Sequence, residues 1–319
     1  MGGSRWSDDA YSARKAYRSA TGASTFAYTD SIRKGSTAAK THETLDPVKM
    51  KAGTRECRDS EAHPNSTPIF IGLDVTGSMG QVPITMQTKL KEVMGLLLKR
   101  GYVEDPAICI SGIGDVEAGD RAPFQVGQFE SGIEIEDNLT NLYIEGGGGG
   151  NRYESYDIAL YFLARCVKAD SFEKRNKKGY AFIICDEGLP RVCKGSSIKT
   201  IFNTDAQDII IEDLIAEVLE KWELFVIVPN MTSHYKTSYQ DKWVEVLGQR
   251  VIFLEDPNVV SETIASAIGL LEEEDMSSIA ENLKDVGLSS SSVGAVTTAL
   301  SKLESNSITK TSGTGLTVL

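Results

Sequence analysis

The chain has no uninterrupted apolar run approaching the roughly 20 residues that a membrane helix needs, and nothing near its start resembles a signal peptide. The expectation is a cytoplasmic protein with no membrane partner. Cysteine is scarce and odd in number: Cys57, Cys109, Cys166, Cys185 and Cys193, mostly inside apolar segments. Such usage fits a reducing compartment, where free thiols behave as small hydrophobes. No two of them share a close zinc-type spacing, and Cys57 with His63 is an isolated coincidence. Histidine is scarcer still, with only His42, His63 and His234, none within a recognisable triad pattern. Positive charge is also in deficit. The 33 Lys and Arg face 45 Asp and Glu, a formal net charge of -12, which argues against generic binding to nucleic-acid phosphates. The imbalance is uneven, roughly +3 over residues 1–66 and roughly -15 beyond them, so the acidity belongs to the main body.

What is present is alternation. With 41% hydrophobic residues in 319, the chain can bury a sizeable core. From Pro68 onward, short apolar runs rich in β-formers recur: Ile69–Asp74, Ala107–Ser111, Leu142–Glu145, Tyr180–Cys185, Leu224–Val228 and Val251–Leu254. They read as six buried strands. Between them lie apolar stripes of helical period: Leu90, Val93, Met94, Leu97 and Leu98; Tyr156, Ala159, Leu160, Leu163 and Val167; Ile211, Leu214, Ile215, Val218, Leu219 and Trp222. A further helix is expected over Thr263–Glu273. The fold expected is α/β, a doubly wound, mostly parallel six-stranded sheet flanked by helices.

This main body spans 67–274. Residues 1–66 lack a sustained apolar period, apart from a helix-like stretch at Asp8–Ala20, and read as an N-terminal arm. Residues 275–303 carry two helical patches, Ser278–Val286 and Ser291–Leu303, joined at Gly287, and read as a short helical hairpin. Residues 304–319, rich in Ser, Thr and Gly, read as a flexible tail.

In open α/β sheets ligands bind beyond the carboxyl ends of the strands. The first run ends there in Asp74-Val75-Thr76-Gly77-Ser78-Met79-Gly80. A carboxylate and two hydroxyls at alternate positions on a tight strand-to-helix turn can converge on one hard cation, Mg²⁺ or Mn²⁺, although Thr76 or Ser78 could equally cap the next helix. The fourth run ends in Asp186-Glu187-Gly188-Leu189-Pro190. Asp186 lies beside Asp74 if the two strands are neighbours, and is otherwise a turn residue.

The order Asp74-Val75-Thr76-Gly77-Ser78 resembles the Asp-x-Ser/Thr-x-Ser metal-ion-dependent adhesion site motif of von Willebrand factor A domains, with Asp186 at the position of the family's later acidic ligand. The resemblance covers Pro68 to about Glu274. It implies a non-enzymatic adaptor or scaffold that holds Mg²⁺, or Mn²⁺ or Ca²⁺, and grips a protein partner through an Asp or Glu. Intracellular members of that family work with AAA+ ATPases and in stress, defence or phage-related assemblies, which are the partners the resemblance brings to mind. One element departs from the pattern. Where the family has a Thr after a Gly-rich loop, this chain reads Gly146 to Gly150, then Asn151-Arg152-Tyr153-Glu154-Ser155-Tyr156. Aligning on Ala159-Leu160 places Glu154 at the Thr position, with Ser155 and Asn151 as alternatives. A carboxylate there adds charge to a metal site while discouraging an acidic ligand.

Two enzyme readings compete. As a haloacid dehalogenase-like phosphohydrolase, the chain would use Asp74 as nucleophile, but the second acidic loop of that chemistry is missing from Asp186–Pro190. As a dinucleotide binder, it would cradle phosphates on Gly146–Gly150, but the third glycine of the fingerprint falls on Asn151. Asp115 and Asp120 after the second run, and His234 after the fifth, are assigned no role.

Overall fold

The computed structural model describes residues 5–146, 152–231 and 234–304. Among these residues ten short segments are extended: β1 (Arg55–Cys57), β2 (Thr67–Asp74), β3 (Pro106–Ile113), β4 (Phe124–Val126), β5 (Val167–Ala169), β6 (Gly179–Ile184), β7 (Val192–Cys193), β8 (Ile209–Ile210), β9 (Trp222–Pro229) and β10 (Val251–Leu254). Six of them build the main sheet in the order β10-β9-β6-β2-β3-β4. All its pairings are parallel except β3 with β4. Counted along the chain, this is strand order 3-2-1-4-5-6, a doubly wound sheet whose order reverses between β2 and β6.

The strands are buried on both faces, as parallel strands between helices must be, and the side-chain period of two assigns their residues to the two sides. Ile69, Ile71 and Leu73 of β2 join one apolar cluster with Val93, Met94 and Leu97 of the helix Leu90–Lys99 and Ile264 and Ile268 of the helix Val260–Leu271. Phe70 points the other way, into a cluster with Leu160 and Leu163 of the helix Tyr156–Arg165 and Leu214 and Val218 of the helix Ile211–Lys221. The expected helical stripes are therefore the two flanking layers, except that Val167 and Trp222 begin β5 and β9 instead of ending helices and Leu98 is exposed. Among the described residues, no helix is long and apolar enough to cross a membrane.

The two ends of the chain are built into this body. The helix Asp8–Thr21, capped by the Ser7 hydroxyl, buries Tyr11 in the first cluster and pairs Arg18 with the buried Glu136 at 2.6 Å. Leu45 is fully buried beside it and its carbonyl accepts from Val126 N at 2.8 Å, while β1 lies parallel to β5. The helices Met276–Asp285 and Ser290–Glu304 bury Ile279, Leu283, Val296 and Leu300 in that same cluster. Between them Gly287 takes φ +92°, closing the first helix with a bond from Leu288 N to Leu283 O. Residues 305–319 of the expected tail, and Gly147–Asn151 of the glycine loop, lie outside the described residues.

One expected strand is corrected. Leu142–Glu145 does not enter the sheet, and the sixth strand is β4, which runs antiparallel at the edge. The hydrophobic run is genuine, since Leu142 and Tyr143 are buried, but its main chain is satisfied by side chains rather than by a ladder. Gln125 on β4 donates Nε2 to Tyr143 O at 2.9 Å and accepts Tyr143 N on Oε1 at 2.8 Å. Thr29 from the N-terminal segment donates to Leu142 O at 2.8 Å and accepts from Ile144 N at 2.9 Å. Glycine at 112 makes the room, because a Cβ there would fall 2.9 Å from Gln125 Nε2 and 3.0 Å from a Leu142 methyl. A buried amide left without partners costs about 1–3 kcal/mol per group. Gln125→Leu, which keeps the apolar volume and removes both bonds, is therefore expected to lower the unfolding free energy by about 2–4 kcal/mol in urea titration. A loss below about 0.5 kcal/mol would mean that residues 142–145 find other partners.

Candidate metal centre

The register of the two central strands creates the site. Leu73 pairs with Ile184, so the chain leaves β2 at Asp74 and β6 toward Asp186 side by side, at the point where the strand order reverses. Both aspartates are fully buried. After Asp74 the chain turns sharply through the single 3-10 turn Gly77–Met79, and Gly80 at φ +44° leads into the helix Val82–Thr88. This turn folds Thr76 and Ser78 back toward the strand end.

The four residues form one chain of contacts. Asp74 Oδ1 accepts from Thr76 N at 2.8 Å and from Thr76 Oγ1 at 2.5 Å. Ser78 Oγ donates to Asp186 Oδ1 at 2.9 Å, and the two hydroxyl oxygens stand 3.2 Å apart. When both carboxylates are ionised, each hydroxyl proton is committed to an aspartate, so Thr76 and Ser78 face each other with lone pairs. Four hard oxygen donors of net charge -2 thus converge with no Lys or Arg, among the described residues, hydrogen-bonded to them, a donor set suited to Mg²⁺, Mn²⁺ or Ca²⁺. Asp186 Oδ2 is buried and no hydrogen bond reaches it. These residues fit a hard divalent cation. Among the described residues no three His, Cys, Asp or Glu side chains form a ready metal cage, so the hydroxyls are necessary parts of any such site.

Burial dominates the electrostatics. It pushes Asp74 up to about 7, against the hydrogen bonds from Thr76 and Tyr156 and together with the charge of Asp186. Glu187 rises to about 7 through burial and the charges of Asp186, Asp74 and Asp115. Glu154 rises furthest, to about 10, through burial and then Asp74, Asp115 and Glu187. Carboxylates crowded in a low dielectric resist ionisation unless a cation joins them.

Glu154 is close enough to feel Asp74 but stands outside the ring of contacts. It is 3% exposed and its Oε2 has no hydrogen-bond partner. The alternatives for its place divide. Ser155 is occupied, its Oγ accepting from Val116 N at 2.9 Å, and Asn151 lies outside the described residues.

Sequence reasoning missed the residues that hold these carboxylates. Tyr156, read only as part of an apolar stripe, donates its phenol to Asp74 Oδ2 at 2.6 Å. A wholly buried tyrosine needs a partner for its hydroxyl, and that need was the available signal. Gln240 donates Nε2 to Asp186 O at 2.5 Å, and it is itself fixed by a capping box with Thr237. His234, given no role, stands with Nδ1 3.6 Å from Asp186 Oδ2 and 3.8 Å from Glu187 Oε1, its ring stacked on Tyr239 with centroids 4.2 Å apart. Arg152 lies over the same tyrosine ring at 5.2 Å. Gly188 permits this closure, because a Cβ there would meet both Arg152 O and Tyr239 O at 3.0 Å. Asp115 and Asp120 remain loop residues that brace their own turn, Asp120 Oδ2 accepting from Asp115 N at 2.8 Å.

No family model matches the chain, and no curated protein does. Solved structures do resemble it. They include an open form of the SpaC pilus adhesin from Lactobacillus rhamnosus GG (11% identity, 69% of this chain and 30% of that one, TM-score 0.40). A von Willebrand factor type A protein from Catenulispora acidiphila is similar at 13% identity, over 64% of this chain and 42% of that one, with TM-score 0.38. A third is proximal thread matrix protein 1 from the mussel byssus, described with a zinc-occupied MIDAS motif, at 9% identity, 67% and 48% coverage and TM-score 0.37. This chain spans less than half the length of each. The structural neighbours thus include von Willebrand factor A domains, while the doubly wound fold stands on the strand order and register described above.

Proposed function

We propose that the chain is a metal-dependent protein-interaction module, in which Asp74, Thr76, Ser78 and Asp186 hold a divalent cation of the Mg²⁺ class and the cation grips a partner's Asp or Glu. The observation that carries this reading is the pair of fully buried aspartates joined through two hydroxyls at the switch point of the sheet. When bound, the cation supplies positive charge and an open coordination position to a partner carboxylate. The chain's own residues do the positioning. Tyr156 holds one oxygen of Asp74, Thr76 the other, and Gln240 fixes the main chain at Asp186. Hydroxyl donors dilute the negative charge of the site, which favours an acidic partner over a cationic one.

Binding rather than catalysis is supported by how the groups are ordered. Ser78 donates directly to the carboxylate of Asp186, whereas the hydroxyl of a triad donates to a histidine. Asp74 is 0% exposed with both oxygens engaged, which disfavours it as a phosphoryl-accepting nucleophile.

Two expectations follow from the carboxylates. Asp74 and Glu187 have folded-state values of about 7, above their ordinary 3.8 and 4.5, so the fold favours their protonated forms. Their contribution is full below about pH 4 and is lost as pH rises through about 7. Asp170, whose burial is outweighed by hydrogen bonds from Lys174, the Asp59 amide and Arg58 that hold it down to about 2, acts in the opposite sense but only in acid. In EDTA the melting temperature is therefore expected to fall between about pH 5 and pH 8. Mg²⁺ competes with those protons, so its stabilisation grows over that range, to about 2.7 kcal/mol at a hundredfold excess over its Kd. A melting temperature flat with pH in EDTA and unmoved by millimolar Mg²⁺, Mn²⁺ or Ca²⁺ rejects the site.

The second expectation concerns the partner. Immobilised wild-type chain should capture protein from native lysate in Mg²⁺, and EDTA, Asp74→Ala or Ser78→Ala should each abolish capture while circular dichroism stays native. Undiminished capture by folded Asp74→Ala would place the partner elsewhere on the molecule.

A further inference from the structure

A cavity of about 290 Å³ opens beside the metal loop, and none of Asp74, Thr76, Ser78 or Asp186 lines it. Its buried wall carries Asp115, Glu154 and Asp157, at 2%, 3% and 7% exposure. The exposed residues at its mouth include Glu117 and Lys194, which neutralise each other at 2.6 Å, and Arg191. The acidic groups are therefore deep, where a bound cation would favour their ionisation, and Lys194 and Arg191 are at the rim. Glu154 is the sharpest element of this wall, because its Oε2 is buried with no hydrogen bond. Neither a turn nor a helix cap uses that carboxylate. A buried carboxylate without a partner is costly, and a native structure tolerates it where a ligand completes it.

The shape of the charge selects the ligand. No three carboxylates converge closely enough among the described residues to cage a compact ion. Acids spread over the wall of a cavity this size suit a larger cation, whose charge is distributed over several N–H donors and carried on an aliphatic stem. Tyr153, 42% exposed, lines the opening and offers an aromatic face to such a cation.

We infer that this cavity is a binding site for an organic cation, the alkylguanidinium or alkylammonium head of an arginine-like or lysine-like group, with Glu154 and Asp157 as its counter-charges. The cation enters between Tyr153 and the Glu117–Lys194 pair and brings its N–H donors to Glu154. The site stands independently of the metal reading. If the cation belongs to a partner protein, that partner carries a basic side chain next to the acidic one that meets the metal.

Calorimetric titration of the full chain in EDTA tests this, with agmatine as a free alkylguanidinium, the capped tripeptide acetyl-Gly-Arg-Gly-amide as a protein-borne one, and N-butylurea as a neutral analogue. Agmatine is expected to bind at one site, N-butylurea not to bind, and Glu154→Gln and Asp157→Asn each to weaken agmatine at least tenfold with native circular dichroism. Binding of the tripeptide as well assigns the site to a protein side chain, and its exclusion assigns the site to a small free cation. Saturating Mg²⁺ should leave agmatine binding in place. The inference is overturned if neither cation binds at millimolar concentration, if N-butylurea binds equally well, if both folded variants bind as wild type does, or if Mg²⁺ displaces agmatine and so claims Glu154 for the metal. Because the first measurement contains no metal, a failure of the metal site leaves it unaffected.

Discussion

Two like charges, Asp74 and Asp186, are forced together out of water by the pairing of β2 with β6. Most of what surrounds the switch point answers that constraint. Thr76 and Ser78 insert hydroxyls between the carboxylates, Tyr156 takes up the remaining oxygen of Asp74, and Gln240 holds the chain at Asp186. None of these partners is charged. The protein thus lowers the cost of burial by hydrogen bonding without cancelling the charge, as expected where the counter-charge is to be supplied by something that binds.

The parts legible in the sequence were those in which local pattern and tertiary position coincide. Asp74 and Asp186 each end an apolar run, and a parallel sheet turns strand ends into neighbours, so chain position alone indicated that the two aspartates meet. The flanking helices were legible for a related reason, since a stripe such as Ile211, Leu214, Ile215 and Val218 has one way to be buried. Hydrophobicity reports burial, however, and not which backbone partner a segment finds. Leu142–Glu145 is buried as expected, yet Gln125 and Thr29 take the place of a neighbouring strand. The actual edge strand Phe124–Val126 is three residues long, too short for any period to register.

The supporting residues of the site were hidden by distance and by double duty. Gln240 and His234 come from the segment after β9, and only the folded chain brings them to β6. Tyr156 belongs to an apolar stripe by its ring and to the site by its hydroxyl, and a count of hydrophobic positions sees only the ring. Residues 1–66 were obscure for a third reason. Tyr11 and Leu45 enter the core as isolated side chains, which leave no periodic trace.

The way residues 142–146 are held has a mechanical consequence. Val75, directly after Asp74, accepts a weak bond from Gly146 N at 3.4 Å, so this segment and the turn that carries Thr76 and Ser78 share a contact. Its other anchors include Thr29 and, at 3.4 Å, Arg33, both in the N-terminal segment. Such single side-chain bonds are individually weaker than a cooperative ladder of strand bonds and yield before it does. A load on the N-terminal segment therefore loosens residues 142–146 before it disturbs the sheet beneath.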